Sequence, residues 1–136
     1  IRSCLVGSEM CIRDRSSIGT VSFVSNEEQI DLITAISGSG PAYFFYLTEA
    51  LTEIAIDLGI SKDDAINFAK NTFIGSAILL DSEKNNNATS LRKNVTSPGG
   101  TTEAALKILM NEEEGLKIIL KKAVLNAINR ANELKN

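Results

Sequence analysis

Three long segments of this chain carry apolar residues at steps of three and four, a period that only helices packed through one face can satisfy. Phe44, Leu47, Leu51, Ile54, Ala55 and Leu58 form the first stripe, and Gly59 stands where a helix-ending residue belongs. Ala65, Ile66, Ala69, Phe73, Ala77 and Leu80 form the second, opened by Ser61 and Asp64 in a variant capping box. Leu116, Ile119, Leu120, Ala123, Val124, Ala127, Ala131 and Leu134 form the third. Glu112, Glu113 and Glu114 lie at the start of that last helix and Lys135 at its end, in the sense that suits the macrodipole. The predicted fold class is all-α.

Shorter elements fill the spaces between. Asn26 is predicted to cap a helix running through Ile30, Ile33 and Ala35 until Gly38 interrupts it. Pro41 then sits at the first position of the next helix, where proline is tolerated. The second stripe implies a helix from Lys62 to about Ser82, followed by a polar loop at Lys84-Asn85-Asn86-Asn87. Thr89 is predicted to cap a short helix to about Asn94, and Thr101 or Thr102 to begin another with Ala105, Ile108 and Leu109 turned inward.

The beginning of the chain is different. Residues 1–15 (IRSCLVGSEMCIRDR) show neither period and resemble a translated adapter, so they are read as non-native or disordered sequence. Gly19 to Val24 alternates as a strand would but has no partner, so residues 16–25 read as the remnant of a preceding domain and residues 26–136 as the helical unit.

Composition removes several functions. The net charge of −3 and scattered basic residues leave no footprint for nucleic acid. No apolar run reaches the ~18 residues of a membrane span, and no signal-peptide core precedes Glu9 and Arg13, so a cytoplasmic protein is expected. The sequons at Asn87 and Asn94 are read as chance matches, and Cys4 and Cys11 as reduced thiols. There is no histidine, and both cysteines stand outside the helical region. No metal site is expected, and no histidine-based triad can be assembled. The remaining chemistry is that of hydroxyls, backbone amides, carboxylates and amines.

Two loops concentrate that chemistry at predicted helix starts. Ser37-Gly38-Ser39-Gly40-Pro41-Ala42-Tyr43 and Thr96-Ser97-Pro98-Gly99-Gly100-Thr101-Thr102 each offer glycines and hydroxyls where first-turn amides lack carbonyl partners. Such a start can hold a small anion. The same residues also make ordinary capped turns, and neither loop fits a named phosphate motif. Tyr43 is either a packing residue or a donor, and Glu49 with Glu53 reads as a solvated face.

Taken as an ordered pair, the two loops resemble the C-terminal domain of pyrroline-5-carboxylate reductase. The matching text runs from Ile33 to Tyr43 and from Val95 to Thr102, and Glu49-Ala50-Leu51 and Leu58-Gly59-Ile60 also fit. The resemblance covers about Ser17 to the C-terminus. It implies an interlocking helical dimerisation domain of the 6-phosphogluconate dehydrogenase C-terminal type, beside a Rossmann domain that binds NADPH or NADH. It further implies reduction of 1-pyrroline-5-carboxylate to L-proline, with Ser97, Gly99, Gly100, Thr101 and Thr102 holding the substrate carboxylate. Ser37, Gly38 and Ser39 would then face the imine and the nicotinamide.

Two departures shape what the resemblance carries. Tyr46 stands where some relatives have a threonine proposed as proton donor, so no catalytic residue is assigned. No Gly-rich strand–loop–helix unit precedes Gly19, so cofactor-binding residues are not expected in this chain, which alone would be inactive. A homodimer or higher homo-oligomer is implied. The alternatives are a non-catalytic helical dimerisation module and a domain of a related imine or β-hydroxyacid reductase.

Overall fold

A computed structural model describes residues 23–82 and 87–134, and every regular element among them is helical. These are α1 (Glu27–Ile33), a π-helical turn (Thr34–Gly38), α2 (Gly40–Asp57), α3 (Lys62–Ser82), α4 (Ala88–Asn94), α5 (Thr101–Leu109) and α6 (Leu116–Glu133). Residues 1–15 and most of the expected strand lie outside the described residues. Phe23 and Val24, the last two residues of that strand, form none, because no described strand offers them a ladder, and both are exposed.

Caps explain most of the boundaries. Asn26 has extended backbone and its side chain accepts the Gln29 N–H at 3.0 Å, which starts α1 as expected. At the far end of α2, Gly59 takes φ +95, a conformation costly to any residue with a Cβ. The Gly59 N–H then reaches the Ile56 carbonyl and the Ile60 N–H the Ala55 carbonyl, which together make a Schellman closure. Ser61 starts α3: its Oγ accepts the Asp64 N–H at 3.3 Å and donates to the Asp64 carboxylate at 2.7 Å.

Three boundaries differ from the sequence expectation. Gly38 does not break the helix. The chain stays helical and widens by one residue, so that the Ser39 N–H donates to the Thr34 carbonyl five positions back at 2.9 Å. The cap of α4 is Asn87 and not Thr89, because Asn87 and Ser90 satisfy each other's backbone N–H groups at 3.1 and 3.0 Å. Glu112, Glu113 and Glu114 form a turn ahead of α6, not its first turn. Asn111 Oδ1 accepts the amides of Glu113 and Glu114 at 2.8 and 2.9 Å, and Gly115 takes the cap position.

Packing within one chain is sparse. α2 lies against α3, and α1 with the π turn lies against α6. The Phe44 and Phe73 rings meet at 5.6 Å between α2 and α3. Small residues mark the close approaches: Ala35, Ala65 and Ala69 are the buried hydrophobic residues among those described. The apolar stripes themselves are largely open to solvent. Along α6, Val124, Ala127 and Ala131 are half-buried, whereas Ile119 is 58% and Leu134 71% exposed. Ala105, Ile108 and Leu109, expected inward, are exposed because no described helix of the same chain covers that side of α5. The stripes are real, but their cover is not in this chain's described residues.

Candidate functional site

The Thr96–Thr102 segment forms the better anion cradle of the two. Pro98 and Gly99 occupy the centre of a β-turn closed by the Gly100 N–H on the Ser97 carbonyl at 3.0 Å. Gly99 has φ +70, which together with proline before it gives the type II pattern that needs glycine at this position. Gly100 has a separate reason to be glycine: a Cβ there would lie 2.5 Å from Ser97 Oγ and 3.1 Å from the Ser97 carbonyl oxygen. Thr96 anchors the entry, donating from Oγ1 to the Arg92 carbonyl at 2.6 Å.

From that turn the chain enters α5 with Gly100 as the cap. The first intrahelical bond runs from the Ala104 N–H to the Gly100 carbonyl at 3.2 Å. The amides of Thr101, Thr102 and Glu103 precede it, in the positions where helix amides point outward with partial positive charge. Already one carboxylate uses the cradle. Glu103, which the site reading of the sequence missed, accepts the Gly99 N–H at 2.7 Å through Oε2. The signal was present, since a glutamate three residues beyond a cap is half of a capping box.

The Ser37–Tyr43 segment is built differently. Ser37 is exposed and its Oγ donates to the Ile33 carbonyl at 2.9 Å, within its own helix. Ser39 keeps helical backbone (φ −84, ψ −20), is half-buried, and makes no side-chain cap. Gly38 packs closely, with a Cβ there 3.3 Å from the Thr34 methyl. The expected open loop is therefore a π turn, and the amide of Ser39 is already engaged inside it. Tyr43 is a donor, but to the backbone: its hydroxyl reaches the Ala35 carbonyl at 2.9 Å. Tyr46 is 69% exposed.

The structure thus gathers Ser97, Gly99, Gly100, Thr101 and Thr102 into one turn and Ser37, Gly38 and Ser39 into another, and no hydrogen bond joins the two within the chain. Arg92, at the end of α4, donates from Nη1 to the Met110 sulfur at 2.9 Å and so ties α4 to the end of α5. A groove of about 430 Å³ runs along the packed pair α2 and α3, lined by Phe44, Leu47, Leu51, Phe73, Ala77 and Leu80 among others. Among the described residues no helix is long and apolar enough to cross a membrane.

An all-helical unit that leaves large apolar faces exposed defines a class: a helical oligomerisation domain. The family model for pyrroline-5-carboxylate reductase dimerisation matches residues 27–134. The chain belongs to the pyrroline-5-carboxylate reductase family. It is 40% identical over 88% of its length to pyrroline-5-carboxylate reductase of Pseudomonas aeruginosa, of which it covers 42%. Among solved structures, a pyrroline-5-carboxylate reductase from Coxiella burnetii matches with TM-score 0.82 and 41% identity, over 96% of this chain and 49% of that one. A Plasmodium falciparum pyrroline carboxylate reductase with NADP bound matches with TM-score 0.80 and 26% identity, over 100% of this chain and 51% of that one. The chain therefore spans about half the length of the relatives it matches.

Proposed function

We propose that this chain is the dimerisation and substrate-binding half of a reductase that converts 1-pyrroline-5-carboxylate to L-proline with NADPH or NADH. In this division residues 26–136 form the helical unit, residues 16–25 trail from a cofactor domain, and residues 1–15 are not native sequence. The family match, which starts at residue 27, supports that boundary. In this reading the cofactor is held mainly by a Rossmann domain outside these residues. A cytoplasmic location and a small-molecule carboxylate substrate complete the reading.

One observation carries the carboxylate assignment: Gly99 N–H already binds a carboxylate oxygen, that of Glu103, at 2.7 Å. The turn therefore presents an amide in a direction that a carboxylate can meet, and a substrate carboxylate takes it by displacing that of Glu103. Thr101 and Thr102 add outward amides and hydroxyls around it, while the Gly100 N–H closes the turn on the Ser97 carbonyl. Ser37, Gly38 and Ser39 line the other side of the substrate, next to the imine. When bound, a nicotinamide cofactor would supply the hydride that the imine carbon accepts. The residues of this chain bind and orient the ring, which for an imine that is already protonated supplies much of the catalysis without a strong side-chain base.

Titrating the isotope-labelled chain with L-proline tests the assignment. Amide shifts at Gly99, Gly100 and Thr101 that saturate together are expected; shifts absent there, or spread evenly over the helices, overturn it.

The exposed stripes favour a second copy of this chain as the partner. Burying a large aliphatic side chain contributes roughly 1.5–3 kcal/mol, and Phe44, Leu47, Leu51, Ile119, Leu120 and Leu134 are all left exposed by one chain. Interlocking two copies covers these faces, including the groove between α2 and α3.

A further inference from the structure

A π turn is a costly way to join two helices, since its i→i+5 hydrogen bonds are poorer than those of the α-helix. Something must hold it. At the junction of α1 and α2 the Ser39 N–H donates to the Thr34 carbonyl and bypasses the Ala35 carbonyl, its ordinary α-helical partner. Ala35 is 3% exposed, and a buried carbonyl left without a donor is destabilising. The Tyr43 hydroxyl supplies that donor at 2.9 Å, from a half-buried ring in the first turn of α2. Acceptor and donor lie on opposite sides of the widened turn, so this one bond spans Ser37, Gly38, Ser39 and Gly40.

The other polar groups nearby are spent elsewhere. Thr34 Oγ1 donates to the Ile30 carbonyl at 2.7 Å and Ser37 Oγ to the Ile33 carbonyl. Neither can replace the phenol at Ala35. Without the phenol, the buried Ala35 carbonyl is left without its donor, and the turn that carries the Ser39 N–H to the Thr34 carbonyl is held less firmly and opens more often.

We propose that Tyr43 is a positioning residue: its hydroxyl fixes the π turn and thereby the placement of Ser37, Gly38 and Ser39 toward substrate. The second half of that statement rests on reading those three residues as part of the site. Tyr43 touches no reacting atom in this scheme and acts through the backbone alone.

The test compares the chain with its Y43F variant, which keeps the ring and removes the donor. Amide hydrogen exchange is read at Ser39 and, as a reference inside the α2–α3 pair, at Ala69; L-proline titrations are run on both proteins. Exchange at Ser39 is expected to rise up to about tenfold, the loss of one hydrogen bond to a buried acceptor, with Ala69 unchanged. L-proline affinity is expected to fall several-fold. Unchanged exchange at Ser39 overturns the proposal, and so does an equal rise at Ala69, which marks general loosening. Unchanged L-proline affinity beside faster Ser39 exchange overturns the link to substrate. If L-proline moves no amide in the unaltered chain, the site reading fails, and a rise confined to Ser39 still establishes Tyr43 as the lock on the turn. Should Y43F not fold, a nuclear Overhauser contact between the Tyr43 ring and Ala35 in the unaltered chain supports the lock, and its absence overturns it.

Discussion

Glycines do the most specific work at the residue scale, and each for a different reason. Gly99 needs its positive φ, so G99A strains the turn that presents the carboxylate-binding amide. The expected cost is roughly 1–2 kcal/mol, read as a lower unfolding midpoint together with weakened L-proline shifts. Gly115 has no unusual φ, yet a Cβ there would collide with the backbone carbonyl of Asn111 and lie 2.7 Å from both the Asn111 nitrogen and the Leu109 oxygen. G115A should destabilise by about 1–3 kcal/mol without touching the candidate site, and L-proline shifts in whatever remains folded should keep their midpoint. Gly99 was legible in the sequence, because proline followed by glycine signals a type II turn. Gly115 was not. Its constraint comes from how Asn111 folds back over the turn, a contact that no local pattern announces. Glu103 on Gly99 was half-announced by its capping-box spacing, and Tyr43 was readable as a donor, but the Ala35 carbonyl as its acceptor was not.

The elements were readable where caps and stripes coincide. α3 runs from Lys62 to Ser82 as the Ser61–Asp64 pair and the apolar stripe require, and Gly59 ends α2 in the expected manner. Where the cap was assigned by residue type alone, the assignment failed. Thr89 is the second residue of α4, and Asn87, read in the sequence as loop, caps the helix because Ser90 returns its hydrogen bond. N87A is therefore expected to cost about 1 kcal/mol and to fray α4, while T89A should be close to neutral; thermal melts of the two variants check the order. The π turn was hidden for another reason. Gly38 and Gly40 beside Pro41 carry the usual signs of a break, and only the i→i+5 pairing of Ser39 with Thr34 shows that the helix continues through them.

At the scale of the whole molecule, the stripes predicted helices correctly but not their cover. Periodicity states that a face is apolar; it does not state which chain supplies the opposing face. Here most of that face stays in solvent, and among the described residues only alanines and glycines are buried, so one chain leaves the face largely uncovered. The chain by itself is also expected to show no proline-dependent reduction of NADP, whereas the same helical unit joined to a Rossmann domain should be active; turnover by the chain alone would relocate the cofactor site. The claim beneath both statements is that a second copy completes the fold. Light scattering on the purified chain tests it most directly. A mass of twice 14.7 kDa, holding on dilution until the helices melt with it, is the expected result. A folded particle of 14.7 kDa with the same helical content would contradict it.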